Sequence, residues 1–200
     1  MIKPEIVRFF EFVKKEKIEL YNEFSFQHEL GIFLRNNLPD YKIQFERNVD
    51  TLFSEEIIEK TIKEGMVKKE IDISIHDSNT NEKYVAIELK FPRQKQYPEQ
   101  MYSFIKDIKF AEQLKRLGFR NTCCVVLVDD PLFYSDGRAE NGIYKYFRKA
   151  FKVPGRTCIE KPTGKDKDCI KLDRDYSVEW EDIEGEKKFY CIEIEDAKAL

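Results

Sequence analysis

Hydrophobic positions change period several times along the chain, and each change predicts an element. After Pro4, tolerated in a first helical turn, Ile6, Phe9, Phe10 and Val13 recur at three and four residues. They predict a helix that ends between Ile18 and Tyr21. A second helix is expected over 25–37, with Phe26, Leu30, Phe33 and Leu34 as its apolar stripe and Pro39 as its stop. Glu29 lies on the edge of that stripe, at the border between core and solvent. Tyr41, Ile43 and Phe45 then alternate with polar residues, so 41–49 reads as a strand. Residues 50–67 are ambiguous: Ser54 can start a short helix that Gly65 ends.

The stretch 68–93 organises the rest. Ile71, Ile73 and Ile75 alternate with Asp72, Ser74 and His76, and Val85, Ile87 and Leu89 alternate with Ala86, Glu88 and Lys90. Two strands are expected, 70–76 and 84–91, joined by a short polar connection. Side chains along a strand alternate between faces. Asp72 should therefore point away from its isoleucines, and Glu88 and Lys90 away from their aliphatic neighbours. If the strands are neighbours with aliphatic faces aligned, two carboxylates and an amine converge. Glu70 and His76 share the Asp72 face; Glu70 is a spare candidate and His76 a candidate ligand, with polar surface the readier reading of each.

Pro92 and Pro98 mark a connection. Phe104, Ile105, Ile108, Ala111 and Leu114 then predict a helix over 99–117, capped by Gly118, with Asp107 facing inward. Asp107 is open to two roles, an acid supporting the site or a partner for a lysine. The continuous apolar run 121–128 suits a strand buried on both faces, and the intervening helix makes a parallel crossover the default. A short basic, aromatic helix is expected over 142–151 and a long loop over 153–171. The alternating segments 176–180 and 189–194 flank Gly185 and suggest a terminal hairpin.

Composition refines this picture. At 200 residues the chain suits one domain, with a core over about 22–130 and a C-terminal extension over 131–200. Hydrophobic residues form 42% and charged residues 36%, at net charge −3. No apolar run is long enough to span a bilayer and no signal-peptide pattern is present, so the cytoplasm is the expected compartment. The five cysteines form no CxxC pair, and all five are expected to be reduced. Charge is uneven: 138–174 holds eleven Lys or Arg against five Asp or Glu, while 175–200 holds three against nine. Solvated faces that happen to differ explain this as readily as a phosphate-facing segment followed by an acidic end.

Asp72, then Glu88-Leu89-Lys90 on the next strand, between two helices, resembles the core motif of the PD-(D/E)XK nuclease superfamily. Ile71 stands where that motif often has proline. The resemblance covers roughly 22–130. It implies a restriction-endonuclease-like α/β fold: a mixed central sheet flanked by helices, in the order α–β–β–β–α–β, here extended by the C-terminal hairpin. It further implies a Mg²⁺- or Mn²⁺-dependent nuclease that hydrolyses phosphodiesters, with DNA as the expected substrate. Asp72 and Glu88 would be metal ligands, Lys90 would orient the water, and Glu29 would be an acid from the preceding helix. Chemistry supports the same assignment. A hard divalent cation on carboxylates can activate water and neutralise phosphate charge, and magnesium needs few protein ligands. The plainer reading of the same three residues is a cross-strand ion pair on a solvated sheet face.

Arg93, Lys95, Arg138, Lys145, Arg148, Lys149, Lys152 and Arg156 are the candidate phosphate contacts, with Arg93, Lys95, Arg148 and Lys149 foremost. Surface charge accounts for each equally well. The EF-hand-like spacing from Asp77 to Glu88 lacks the required glycine, and Gly164-Lys165 lacks the rest of a phosphate-binding loop. The alternatives are a catalytically silent nuclease-like module that binds nucleic acid or protein, or an accessory subunit with an acidic end. A homodimer is left open.

Overall fold

The computed structural model describes residues 1–80, 82–93, 95–135, 141–163 and 168–195. Its centre is a mixed sheet of six strands: β1 (Tyr41–Asn48), β2 (Glu70–Asp77), β3 (Lys83–Lys90), β4 (Asn121–Val128), β9 (Glu181–Glu184) and β10 (Lys187–Ile194). Spatial order is β1-β2-β3-β4-β10-β9. β1, β2 and β3 form an antiparallel meander. β3 and β4 are parallel, and β10 runs antiparallel to both β4 and β9.

Helices cover both faces. α1 (Lys3–Glu16) and α2 (Glu23–Asn37) lay Phe9, Phe10, Phe26 and Leu30 against Ile73, Val85, Ile87, Leu89 and Val125. On the other face α4 (Tyr97–Arg116) places Phe104, Ile105 and Ile108 against Cys124, Val126 and Tyr190. β4 thus feeds alternate side chains to two cores, as its unbroken apolar run requires. The meander, the crossover through α4 and the parallel β3–β4 pair give the order α–β–β–β–α–β around a central mixed sheet. Gly31 lets α2 approach β1, since a Cβ there would fall 2.2 Å from the Phe45 ring.

Several elements differ from expectation for local reasons. α2 starts at Glu23 because Asn22 and Ser25 form a reciprocal cap. α4 starts at Tyr97 because Pro98 falls in its first turn, where its missing N–H costs nothing. The short α3 (Glu55–Thr61) occupies the ambiguous region, while α5 is only Tyr144–Arg148.

The expected loop 153–171 contains the paired strands β6 (Cys158–Glu160) and β7 (Cys169–Lys171). They bring Cys158 and Cys169 to a Cα separation of 5.6 Å, where the two form a disulfide, correcting the expectation of five reduced thiols. Cys123, Cys124 and Cys191 are free and buried. The C-terminal hairpin is β9–β10, turning at Gly185, whose φ of 60° suits a residue without Cβ. Tyr176 and Ser177 (β8) instead pair with Lys152 and Val153 (β5). Among the described residues no helix is long and apolar enough to cross a membrane.

Candidate active site

The centre of the site is a break in the β2–β3 ladder. The strands pair from His76–Lys83 to Ile73–Ile87 and no further. At the same level on the other side, Glu46 of β1 has φ 48°. β2 also changes face there. Ile73 and Ile75 pack with α1 and α2, whereas Ile71 packs with Phe110 and Leu114 of α4. The expectation that all three isoleucines share a face therefore fails at Asp72, where the strand turns.

Side chains fill the gap left in the ladder. The Leu89 N–H donates to Asp72 Oδ2 at 2.7 Å, and the Asp72 N–H reaches Glu88 Oε1 at 3.4 Å. Gln27 of α2 donates to the Asp72 carbonyl at 2.8 Å and to Glu46 at 2.6 Å. Asp72, Leu89, Glu23, Phe24, Gln27 and Glu46 line a cleft of about 290 Å³.

Glu88 points the other way, toward α4, and is 1% exposed. Its carboxylate accepts a short contact from Lys68, whose ammonium also donates to Asp107 Oδ1 at 3.0 Å. Lys90 lies at the end of the gap, 3.0 Å from Glu23 Oε1 and 3.9 Å from Asp107 Oδ2. Asp107 Oδ2 is buried without a hydrogen-bond partner. The Phe91 N–H donates to the second oxygen of Glu23 at 3.1 Å.

Three largely buried carboxylates, Asp72, Glu88 and Asp107, thus share two ammonium groups, Lys68 and Lys90. Burial governs the titration of Asp72 and Glu88. Burial, eased by Lys68 and by the Leu89 amide, leaves the Asp72 carboxyl raised to about 6. Burial and then the neighbouring Asp72 charge hold Glu88 well above the carboxylate range. Burial draws Lys68 down, but Glu88, Asp107 and Asp72 outweigh it and keep its ammonium charged. Lys90 is likewise raised, with burial opposed by Asp107 and Glu23.

Asp72, Glu88 and Lys90 are therefore brought together, and Glu29 does not join them. It lies half-buried on another face of α2, lining a groove with Glu11, Phe12 and Lys15 of α1. The acid that α2 contributes is Glu23, one turn before Gln27. Sequence reasoning missed it because it began the helix at Ser25; the Asn22-x-x-Ser25 cap was the available signal.

Lys68 was also missed, and no periodicity marks it. Its loop is held by Gln113, which accepts from the Val67 N–H at 3.0 Å and donates to the Gly65 carbonyl at 2.9 Å. His76 is buried against Ser74 and Phe119 rather than on the surface, while Glu70 is exposed.

The expected phosphate contacts are scattered. Arg93 is paired with Asp129 and lies over the Phe91 ring, and Lys95 is exposed close by in sequence. Arg148 is buried, donating from Nε to the Leu132 carbonyl at 2.8 Å with its guanidinium 4.1 Å from the Tyr144 ring centroid. It braces the extension and presents little surface to a phosphate. Lys149 is exposed on the residue after α5. Lys152 pairs with Asp175 at 2.6 Å, and Arg138 lies outside the described residues.

Among the described residues no three His, Cys, Asp or Glu side chains stand ready to hold a metal ion. The donor chemistry nevertheless fits a hard divalent cation. The oxygens are carboxylates, three such groups face two ammonium groups, and one buried oxygen of Asp107 has no hydrogen-bond partner. What differs is the counter-charge between Glu88 and Asp107, which Lys68 supplies. No family model, curated protein or solved structure matches the chain.

Proposed function

We propose that the chain is a metal-dependent phosphodiesterase of the PD-(D/E)XK nuclease type, on a restriction-endonuclease-like fold, acting on DNA. The observation that carries this reading is the break at Asp72. There a carboxylate from β2, a carboxylate and an amine from β3 and an acid from α4 meet, with more buried negative than positive charge.

Asp72 and Glu88 would hold Mg²⁺ or Mn²⁺. The ion would supply charge neutralisation at the phosphate and a water of lowered pKa. Lys90, fixed by Glu23, would stand beside the attacking water or the scissile phosphate and stabilise charge there. Lys68 would compete for the same carboxylates and leave when the cation binds. Gln27 and the Leu89 amide keep Asp72 in place across the gap.

A second reading is favoured by Lys68 itself. An ammonium that pairs with Glu88 and Asp107 permanently would make the site a structural ion-pair network. The protein would then be a silent binding module. Calorimetry with Mg²⁺ and Mn²⁺, beside cleavage of plasmid and single-stranded DNA by wild type and Lys90→Ala, separates the two. Metal binding with cleavage that Lys90→Ala sharply lowers supports the nuclease. Neither binding nor cleavage leaves the module.

A further inference from the structure

Phe24 is in the first turn of α2, directly after Glu23, and is 70% exposed. The inward face of α2 is already supplied by Phe26, Leu30, Phe33 and Leu34. Phe24 adds little to that core. It lines the same cleft as Asp72 and Leu89. One turn further on, the exposed His28 ring lies parallel to it, with centroids 6.2 Å apart and planes inclined by only 3°. A flat ring is thus presented at a cleft whose other lining residues are Glu23, Gln27, Glu46, Asp72 and Leu89.

Beside that cleft stands one ammonium group, Lys90, whose Nζ donates to Glu23 Oε1 at 3.0 Å. Glu23 accepts from the Phe91 N–H, so the start of α2 is tied to the segment leaving β3. Arg93, half-exposed and paired with Asp129, and the exposed Lys95 follow in sequence. An aromatic platform beside cations is the arrangement that holds an unpaired strand: bases stack and phosphates follow the charge. Bases inside a duplex have both faces covered by their neighbours, so a ring that offers its face recognises a base without such cover.

We infer that the site takes single-stranded DNA, with the base flanking the reacting phosphate stacked on Phe24 and with His28 behind. This inference rests on the phosphodiesterase reading and names the substrate form for it. Phe24 is a binding residue in this scheme, and Arg93 and Lys95 guide the neighbouring phosphates.

The test uses the full chain and a fluorescein-labelled single strand beside the matching duplex. Binding is followed by anisotropy in Ca²⁺, and cleavage is measured in Mg²⁺. Wild type should bind the single strand more tightly than the duplex. Phe24→Ala should lower single-strand affinity by about fivefold or more relative to duplex, the low end for one stacked base, and Phe24→Trp should restore it. Circular dichroism establishes that both variants fold. Equal single-strand binding by Phe24→Ala and wild type overturns the inference, as does a wild-type preference for duplex. If duplex is cleaved while Phe24→Ala treats single strands as wild type does, the inference falls and the phosphodiesterase reading stands. If neither form is bound or cleaved, both fall.

Discussion

The Lys68 ammonium stands 3.0 Å from Asp107 Oδ1 and also bridges to Glu88, so one lysine from a loop pairs with two buried acids. Removing it leaves both carboxylates without their nearest counter-charge. Breaking a buried pair from one side costs ~3 kcal/mol or more, chiefly through the stranded charge. Lys68→Met should lose about that much stability to urea in metal-free buffer. A divalent cation can replace the missing charge, so millimolar Mg²⁺ should recover much of the loss and bind the variant more tightly than wild type. Equal loss with and without Mg²⁺ would show that these carboxylates do not take the ion.

Lys90 has a different role. It is held by Glu23 and faces Asp107, and among the described ion pairs it has none with Asp72 or Glu88. Lys90→Ala should therefore leave Mg²⁺ affinity near the wild-type value while lowering cleavage on the order of 100-fold, the scale for removing one charge-stabilising group. Calorimetry and single-turnover cleavage report the two quantities separately. A parallel loss of metal binding would move Lys90 from the reaction to the assembly of the site.

The raised Asp72 carboxyl makes stability depend on pH. Its ordinary value is 3.8 and its folded value is about 6, so between those values the native state binds more protons than the unfolded state. Stability then falls as pH rises through that window and stays lower above it. The difference is about two units at ~1.4 kcal/mol each, so up to ~3 kcal/mol. Asp72→Asn should thus stabilise the metal-free protein at pH 7.5 and change little at pH 4, measured by urea unfolding. In saturating Mg²⁺ the order at pH 7.5 should reverse, because only the ionised carboxylate offers a ligand charge.

The alternation around Asp72 and Glu88 made two strands legible, and the helical period around Phe104 and Ile108 made the crossover legible. Those elements alone fix a parallel β3–β4 pair and bring Glu88 and Asp107 toward each other. Long-range contacts without a period were not legible. Lys68 comes from a loop whose position depends on Gln113, forty-five residues later in the chain, and no local pattern encodes that tie. The turn of β2 at Asp72 was hidden for a similar reason. Ile71 reads as one more member of an alternating series until Phe110 and Leu114 supply a second core on the opposite face. In the extension, β6 and β7 are three residues each, too short to show a period among the prolines and charges around them.

Glu23 and Glu29 offer the sharpest contrast, since both are acids on α2 and only one meets the site. Glu23 Oε1 accepts from Lys90 at 3.0 Å while Oε2 accepts from the Phe91 N–H at 3.1 Å, so one carboxylate fixes both the amine and the backbone beyond it. Glu29 faces Glu11 and Lys15 across the groove with α1. Glu23→Gln keeps an acceptor for the Phe91 amide but loses the charge that aims Lys90. Cleavage should fall by roughly 10-fold, as small misplacements of a reacting group do, with Mg²⁺ affinity little changed. Glu23→Asp should fall between Gln and wild type, because it restores the charge at shorter reach. Glu29→Gln should cleave within about twofold of wild type, since the groove it lines is remote from the reacting groups. The reverse pattern, with Glu29→Gln inactive and Glu23→Gln unaffected, would place the acid of α2 where the helix edge alone suggested and remove Glu23 from the positioning of Lys90.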